Sequence, residues 1–315
     1  MNILITGGFG LVGGRAAKYL QQLGHHIILG SRKESNPPDW LPQGKVAHTD
    51  WSKESSLEEL CRDVDVVIQA AGVNAQDCSN DPVAALEFNG VATARLHRAA
   101  SKAGVKRFIY LSTAHVYASS LIGTISENTC PQNIHPYATS HFAGENAILG
   151  ARQQEKIETV VLRLSNAFGA PMQSKTNCWM LLMNDLCRQA VCQHKLTLRS
   201  AGLQRRDFVT LQDVTNAIDH VVNLDTDQVE GKIFNIGGAW TPRVIDMLEL
   251  VQDRCLTVLG FTPDAIYPKP TKKEVTIDLE FQINKLLSTG FKLSGNVIDE
   301  VDEMLLFCQK AFGNH

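Results

Sequence analysis

The stretch ITGGFGLVGG, Ile5–Gly14, decides the fold. It closes the apolar run ILIT (Ile3–Thr6), which reads as a buried strand. It also opens a helical pattern: Leu11, Val12, Ala16, Tyr19, Leu20 and Leu23 recur on one face until Gly24 stops it. Between them, Gly7, Gly10 and Gly13 are spaced G-x-x-G-x-x-G. Glycine lets a backbone turn tightly and come close to a pyrophosphate, which then rests on the N–H groups of the helix start. Residues Gly7, Phe9, Gly10, Leu11, Val12 and Gly13 are therefore the candidate cradle of a dinucleotide. A nucleotide triphosphatase loop would need lysine followed by serine or threonine after its last glycine, and here Gly13 is followed by Gly14 and Arg15.

Outward from this loop, short β-branched runs alternate with helical patterns. Strands are expected at His26–Gly30, Val46–Asp50, Asp65–Ala71, Arg107–Thr113 and Thr159–Ser165, with long helices over 82–103 and from Pro136 to about residue 150. Such alternation implies α/β architecture, a doubly wound parallel sheet with helices on both faces. After Ser165 the pattern loosens. A helix over 178–193, a strand at KLTL, a return to the sheet through DFVTLQDVTNAIDHVVN and KIFNIGG, a helix over 241–259 and a last helix near the end are expected. The dinucleotide domain is then 1–165 plus about 212–237. A smaller interleaved C-terminal substrate domain takes 166–211 and 238–315.

The 315 residues carry a formal charge of −3, without the basic surplus of a general nucleic-acid binder. No apolar run is long enough to span a bilayer, and the chain enters its first strand without a signal-peptide pattern, so neither membrane nor nucleic acid is expected and a cytoplasmic setting is. The eight cysteines lack C-x-x-C spacing and read as reduced thiols, with no metal site.

About twenty residues past the glycine loop, an acid would hydrogen-bond the adenosine ribose of NAD. The strand instead ends Gly30, Ser31, Arg32, Lys33. A hydroxyl and a guanidinium suit the 2′-phosphate of NADP, with NAD as the alternative. A solvated basic turn is the plain reading of the same residues. Asp50 is placed either to contact the adenine or to cap the following segment.

Further motifs agree with this loop: IQAAG (Ile68–Gly72), FNGVATARLHRAA around Asn89, YLSTAHVYA (Tyr110–Ala118), PYATSH (Pro136–His141), LRLSNAFGA (Leu162–Ala170), RRDFVTLQDV (Arg205–Val214) and IFNIGG (Ile233–Gly238). In this order the chain resembles the extended short-chain dehydrogenase/reductase family, the NAD(P)-dependent nucleotide-sugar epimerases, dehydratases and reductases of Rossmann fold. The resemblance implies cofactor contacts at Trp51, Ala70, Ala71, Gly72 and Asn89. It implies a substrate-orienting hydroxyl at Thr113, an acid/base at Tyr137, and diphosphate contacts at Asn166 and Arg206. Asn166 and Arg206 have structural readings too, Arg206 pairing with Asp207 or a helix end, and Arg205 is a possible substitute. The family's late phosphate-binding arginine motif is missing from PKPTKKE, where Lys269, Lys272 or Lys273 would stand in.

His141 is the departure. The family carries lysine there, four residues after the tyrosine, holding the nicotinamide ribose and lowering the phenol pKa. Imidazole can hydrogen-bond the ribose, so Tyr137 and His141 are both cofactor and catalytic candidates. With a free pKa near ~6.5, however, it supplies no constant cation. A phenol near ~10 then stays protonated at neutral pH. That favours reduction of a keto group, which needs a proton donor, over oxidation of an alcohol, which needs a base. The expected function is reduction of a keto group on an NDP-deoxyhexose. An epimerase with tightly bound NAD is the alternative within enzymes, and an inactive nucleotide-sensing protein the alternative outside them. Family members pair through the helices placed here at 82–103 and 136–150, so a homodimer is expected.

Overall fold

The computed structural model describes residues 1–151, 154–271 and 276–313. Seven strands form the main sheet: β1 (Asn2–Thr6), β2 (His26–Ser31), β3 (Lys45–His48), β4 (Val66–Gln69), β5 (Arg107–Thr113), β6 (Glu158–Leu164) and β7 (Lys232–Ile236). All neighbours pair in parallel, in the order β7-β6-β5-β4-β1-β2-β3. The order in which strands are added reverses between β1 and β4, which leaves a crevice at their C-terminal ends. This is the expected doubly wound sheet.

The strands are apolar on both faces because helices cover both. Ile3, Ile5 and Ile68 pack on one side against α1 (Leu11–Gln22) and α5 (Leu211–Asn223), while Leu4, Val67 and Phe108 pack on the other. The expected helix over 82–103 is continuous from Pro82 to Lys102, and its last segment, Thr93–Lys102, is α2. Asp81 caps its start by accepting from the Ala84 N–H at 3.0 Å. Its middle, Leu86–Ala92, is a π-helical turn. Beside it lies α3 (Pro136–Ala151).

A second core gathers α4 (Leu182–Gln193), α6 (Val244–Leu259) and α7 (Val297–Phe312) around Phe168, Met247, Leu248 and Met304. The helix expected from Cys178 begins four residues later, because 176–181 is spent on successive turns. Within the C-terminal stretch, Leu286 and Phe291 join the sheet's core rather than the second one. Among the described residues no helix is long and apolar enough to cross a membrane, and no group of three or more His, Cys, Asp or Glu is placed to hold a metal. The eight cysteines are free thiols.

Arg107, at the start of β5, ties the sheet to α5. Its guanidinium donates to the carbonyls of Val221 (2.6 Å), Val222 (2.9 Å) and Leu224 (2.7 Å), the orphan acceptors at the helix end, and pairs with Glu158 at 2.6 Å. Arg107→Leu strands three carbonyls and a partly buried carboxylate. We expect it to lower unfolding stability by about 3 kcal/mol, read as a reduced midpoint in urea at unchanged slope. A loss within about 0.5 kcal/mol would show that this tie is not needed.

Candidate active site

The crevice opens into a cavity of about 530 Å³ whose wall runs from the glycine loop past the ends of β4, β5 and β6 to the second core. At its inner end Gly7 has φ +68°, and a Cβ there would lie 2.6 Å from the Ala70 carbonyl oxygen. A Cβ on Gly13 would lie 2.4 Å from the Gly7 carbonyl oxygen. The loop thus holds its shape only with glycine at both positions. The first turn of α1 has no side-chain cap and no acid, so its amides are left for an anion. Gly7, Gly10, Leu11, Val12, Gly13, Ala70 and Gly72 all line the cavity. This donor set fits the pyrophosphate of a dinucleotide.

Of the other expected cofactor contacts, Tyr137 and His141 line the cavity, and Phe9, Ser31, Arg32, Asp50, Trp51, Ala71 and Asn89 fall outside the lining. Phe9 packs edge-on against Trp40, its carbonyl accepting from Thr176. Ser31 accepts from the Lys33 N–H, and Arg32 is exposed, with no hydrogen-bond or ion-pair partner among the described residues. Asp50 accepts from the Ser52 amide and hydroxyl and sits 3.3 Å from Lys53; Trp51 packs against Phe88. Ala71 lies between two lining residues. Asn89 is buried and used at both ends, accepting from Val73 N–H at 2.9 Å and donating to Ser140 Oγ at 3.0 Å, so it braces the π-turn against α3.

Thr113, Tyr137 and His141 meet on the opposite wall. Thr113 ends β5, while Tyr137 and His141 lie one turn apart on α3, their rings edge-to-face at 4.7 Å. Burial raises the Tyr137 phenol pKa, and a hydrogen bond with Thr113 pulls it only partly back. His141 is 6% exposed; burial, then the charge of His115, brings its pKa down to about 4. Its Nδ1 is 2.9 Å from the Tyr110 hydroxyl, and its Nε2 edge faces Gly72, where a Cβ would be 3.6 Å away. At neutral pH the site therefore holds a neutral imidazole beside a protonated phenol. No described residue of the cavity wall is Lys, Arg, Asp or Glu.

On the substrate side Asn166 lines the cavity but donates its amide to the Asp207 carbonyl at 2.8 Å. Arg206 is exposed, and its side chain has no hydrogen-bond or ion-pair partner among the described residues. It is not paired with Asp207, whose buried carboxyl is pushed up to about 7 while accepting from Ser165 and the Gly238 N–H. Arg205 is held by the Thr241 carbonyl at 2.9 Å, a structural contact. Lys269 is exposed; Lys272 and Lys273 lie outside the described residues.

Two lining histidines escaped the sequence reading. His115 follows Thr113 by two residues within YLSTAHVY, its ring 6.3 Å from that of Tyr137. His135 precedes the PY pair. It accepts the Tyr137 N–H on Nδ1, so its Nε2 carries the proton toward Ser79 Oγ at 2.9 Å. Both stood inside or beside the quoted motifs, and only their side-chain type gave a signal. Cys178, Met180, Leu181 and Met183 form an apolar wall that sequence spacing did not mark.

Residues 3–237 match the model of the NAD dependent epimerase/dehydratase family. The putative UDP-glucose 4-epimerase of Methanocaldococcus jannaschii is 27% identical over 295 residues, 92% of each chain. The dTDP-D-glucose 4,6-dehydratase of Mus musculus is 33% identical over 193 residues, 60% of this chain and 52% of that one. The crystal structure of the Thermus thermophilus UDP-glucose 4-epimerase with NAD superposes with a TM-score of 0.82 at 19% identity, covering 99% of this chain and 100% of the other.

Gly13→Ala forces the loop backbone apart. We expect a folded protein by far-UV circular dichroism that binds NADPH and NADH at least about tenfold more weakly in titration calorimetry. Unchanged affinity would remove this loop from the cofactor site.

Proposed function

The chain belongs to the NAD dependent epimerase/dehydratase family, and we propose that it is a nicotinamide-dependent oxidoreductase that reduces a keto group on a nucleotide-linked deoxyhexose. The observation that carries this reading is that Tyr137 and Thr113 share a cavity wall that holds no described Lys or Arg, and burial raises the Tyr137 phenol pKa there. The dinucleotide would lie on the glycine loop, with His141 against its nicotinamide ribose. When bound it supplies the hydride. Thr113 donates a hydrogen bond to the substrate carbonyl, and Tyr137 passes its proton to the oxygen as negative charge develops there. Alcohol oxidation would instead require Tyr137 to begin as phenolate, a form that burial disfavours.

The unpartnered Arg206 suits the substrate's diphosphate, and Phe168, Met180, Leu181 and Met183 suit an uncharged sugar face. Ser31 and Arg32 support NADP as the cofactor. The NAD bound by the Thermus thermophilus protein, and the name of the Methanocaldococcus jannaschii relative, favour a second reading: an epimerase that retains NAD through its cycle. Nucleotide sensing without turnover is a third. We extend the proposal to a homodimer, supported by exposed Val83, Leu86 and Val91 on the helical run beside α3.

Tyr137→Phe keeps the ring and removes the only proton it can give. With a panel of keto and reduced nucleotide sugars and either NADPH or NADH, we expect activity to fall by about 10²–10⁴-fold while cofactor affinity stays within about twofold. NADPH should be the better donor. Full activity in Tyr137→Phe would end the mechanism, NAD retained through purification with epimerisation would select the second reading, and binding without turnover across the panel the third.

A further inference from the structure

We propose that Tyr110 is a positioning residue. Its buried hydroxyl fixes His141 as the tautomer protonated on Nε2, and so presents an uncharged N–H donor to the dinucleotide crevice beside Gly72. The inference rests on the reading of His141 as the nicotinamide-ribose contact, but it concerns a residue to which that reading assigns nothing.

Tyr110 lies in β5, fully buried, three residues before Thr113. Its ring and the His141 ring are stacked, centroids 5.9 Å apart and planes 23° apart. The close approach is built into the helix. A Cβ on Gly144 would lie 2.6 Å from the Asn89 carbonyl oxygen and 3.0 Å from the Tyr110 hydroxyl, so α3 can seat here only because that position has no side chain.

The Tyr110 hydroxyl has one proton and two acceptors in reach, His141 Nδ1 at 2.9 Å and the Asn89 carbonyl at 3.3 Å. His141 Nδ1 is the nearer of the two, so the phenol proton points to it. Burial, then the neighbouring Glu145 charge, keeps Tyr110 in its protonated form, a standing donor. A donor facing Nδ1 leaves the ring proton on Nε2, which is the edge toward Gly72 and the cavity. The opposite arrangement, Nδ1–H toward Tyr110 and the phenol turned to Asn89, would leave Nε2 bare. It would then accept from a ribose hydroxyl rather than donate to one. Tyr110 and His141 together thus provide the hydrogen bond of a lysine without its charge.

The test has two arms. In ¹⁵N-labelled protein at neutral pH, the His141 ring nitrogens, assigned by their loss in His141→Gln, should show a protonated Nε2 and a bare Nδ1. Tyr110→Phe should lose this single-tautomer pattern. An Nδ1–H signal in the native chain, or an unchanged pattern in Tyr110→Phe, would overturn the proposal. In the second arm, Tyr110→Phe should weaken NADPH binding about fivefold in the native background and less than about twofold in the His141→Lys background, since an ammonium has no tautomer to fix. Equal losses in both backgrounds would make Tyr110 a packing residue and contradict the proposal. Should no variant bind NADPH or NADH, the cofactor reading fails, and the nitrogen spectra alone decide the role of Tyr110.

Discussion

The ion pair between Glu145 and Arg163 anchors the site. Both are almost wholly buried, and the guanidinium meets the carboxylate at 2.6 and 3.1 Å. Charges so deep are tolerated only when paired and hydrogen-bonded. Here the set is completed by the Ser112 hydroxyl on Glu145 and the Tyr117 ring under Arg163. Glu145 lies on the same face of α3 as Tyr137 and His141, at successive four-residue steps. Each of the three therefore faces its own residue of the sheet: Tyr137 meets Thr113, His141 meets Tyr110, and Glu145 meets Ser112 and Arg163. A shift of the helix by one turn would unpair a buried ion, so the register of the face that carries Tyr137 and His141 is set two turns from Tyr137.

The same pairing decides the electrostatics. Arg163 is a buried cation close to this helix face, and its charge is spent on Glu145. The position that carries lysine in the resembled family holds an imidazole brought down to about 4. No Lys or Arg on the described cavity wall is there to stabilise a phenolate. In the proposed reaction the Tyr137 proton is thus available to give and costly to remove, and that asymmetry is what favours reduction in the reading proposed above.

The sheet was legible because parallel strands buried on both faces read as apolar runs, and because Gly24 and Gly104 stop helices where only a positive φ continues the chain. The glycine loop was legible for the same steric reason. The π-turn at Leu86–Ala92 was not, since the residue spacing of one widened turn is lost within an otherwise helical run. The start of α4 was misplaced because Cys178 and Met180 are apolar for the sake of the cavity, not the helix. Within the site, the loop glycines, Thr113, Tyr137 and His141 come together around one cavity. The sequence expects Asn89 at the cofactor, whereas both ends of its side-chain amide are used internally; no pattern in one sequence distinguishes those roles. Tyr110 looked like one more apolar strand residue; its hydroxyl acquires meaning only from its distance to His141.

In the proposed reaction the catalytic phenol keeps its proton because no cation sits beside it. The most direct measurement is the pH dependence of initial rates in both directions, at subsaturating reactant, for the native protein and His141→Lys on one substrate pair. We expect native alcohol oxidation to be slow at neutral pH and to rise steeply toward alkaline pH. His141→Lys should move that rise downward by about one pH unit or more and quicken oxidation at pH 7 more than reduction. Superimposable oxidation profiles for the two proteins would contradict this reading, because the charge at position 141 would then have no hold on the Tyr137 proton.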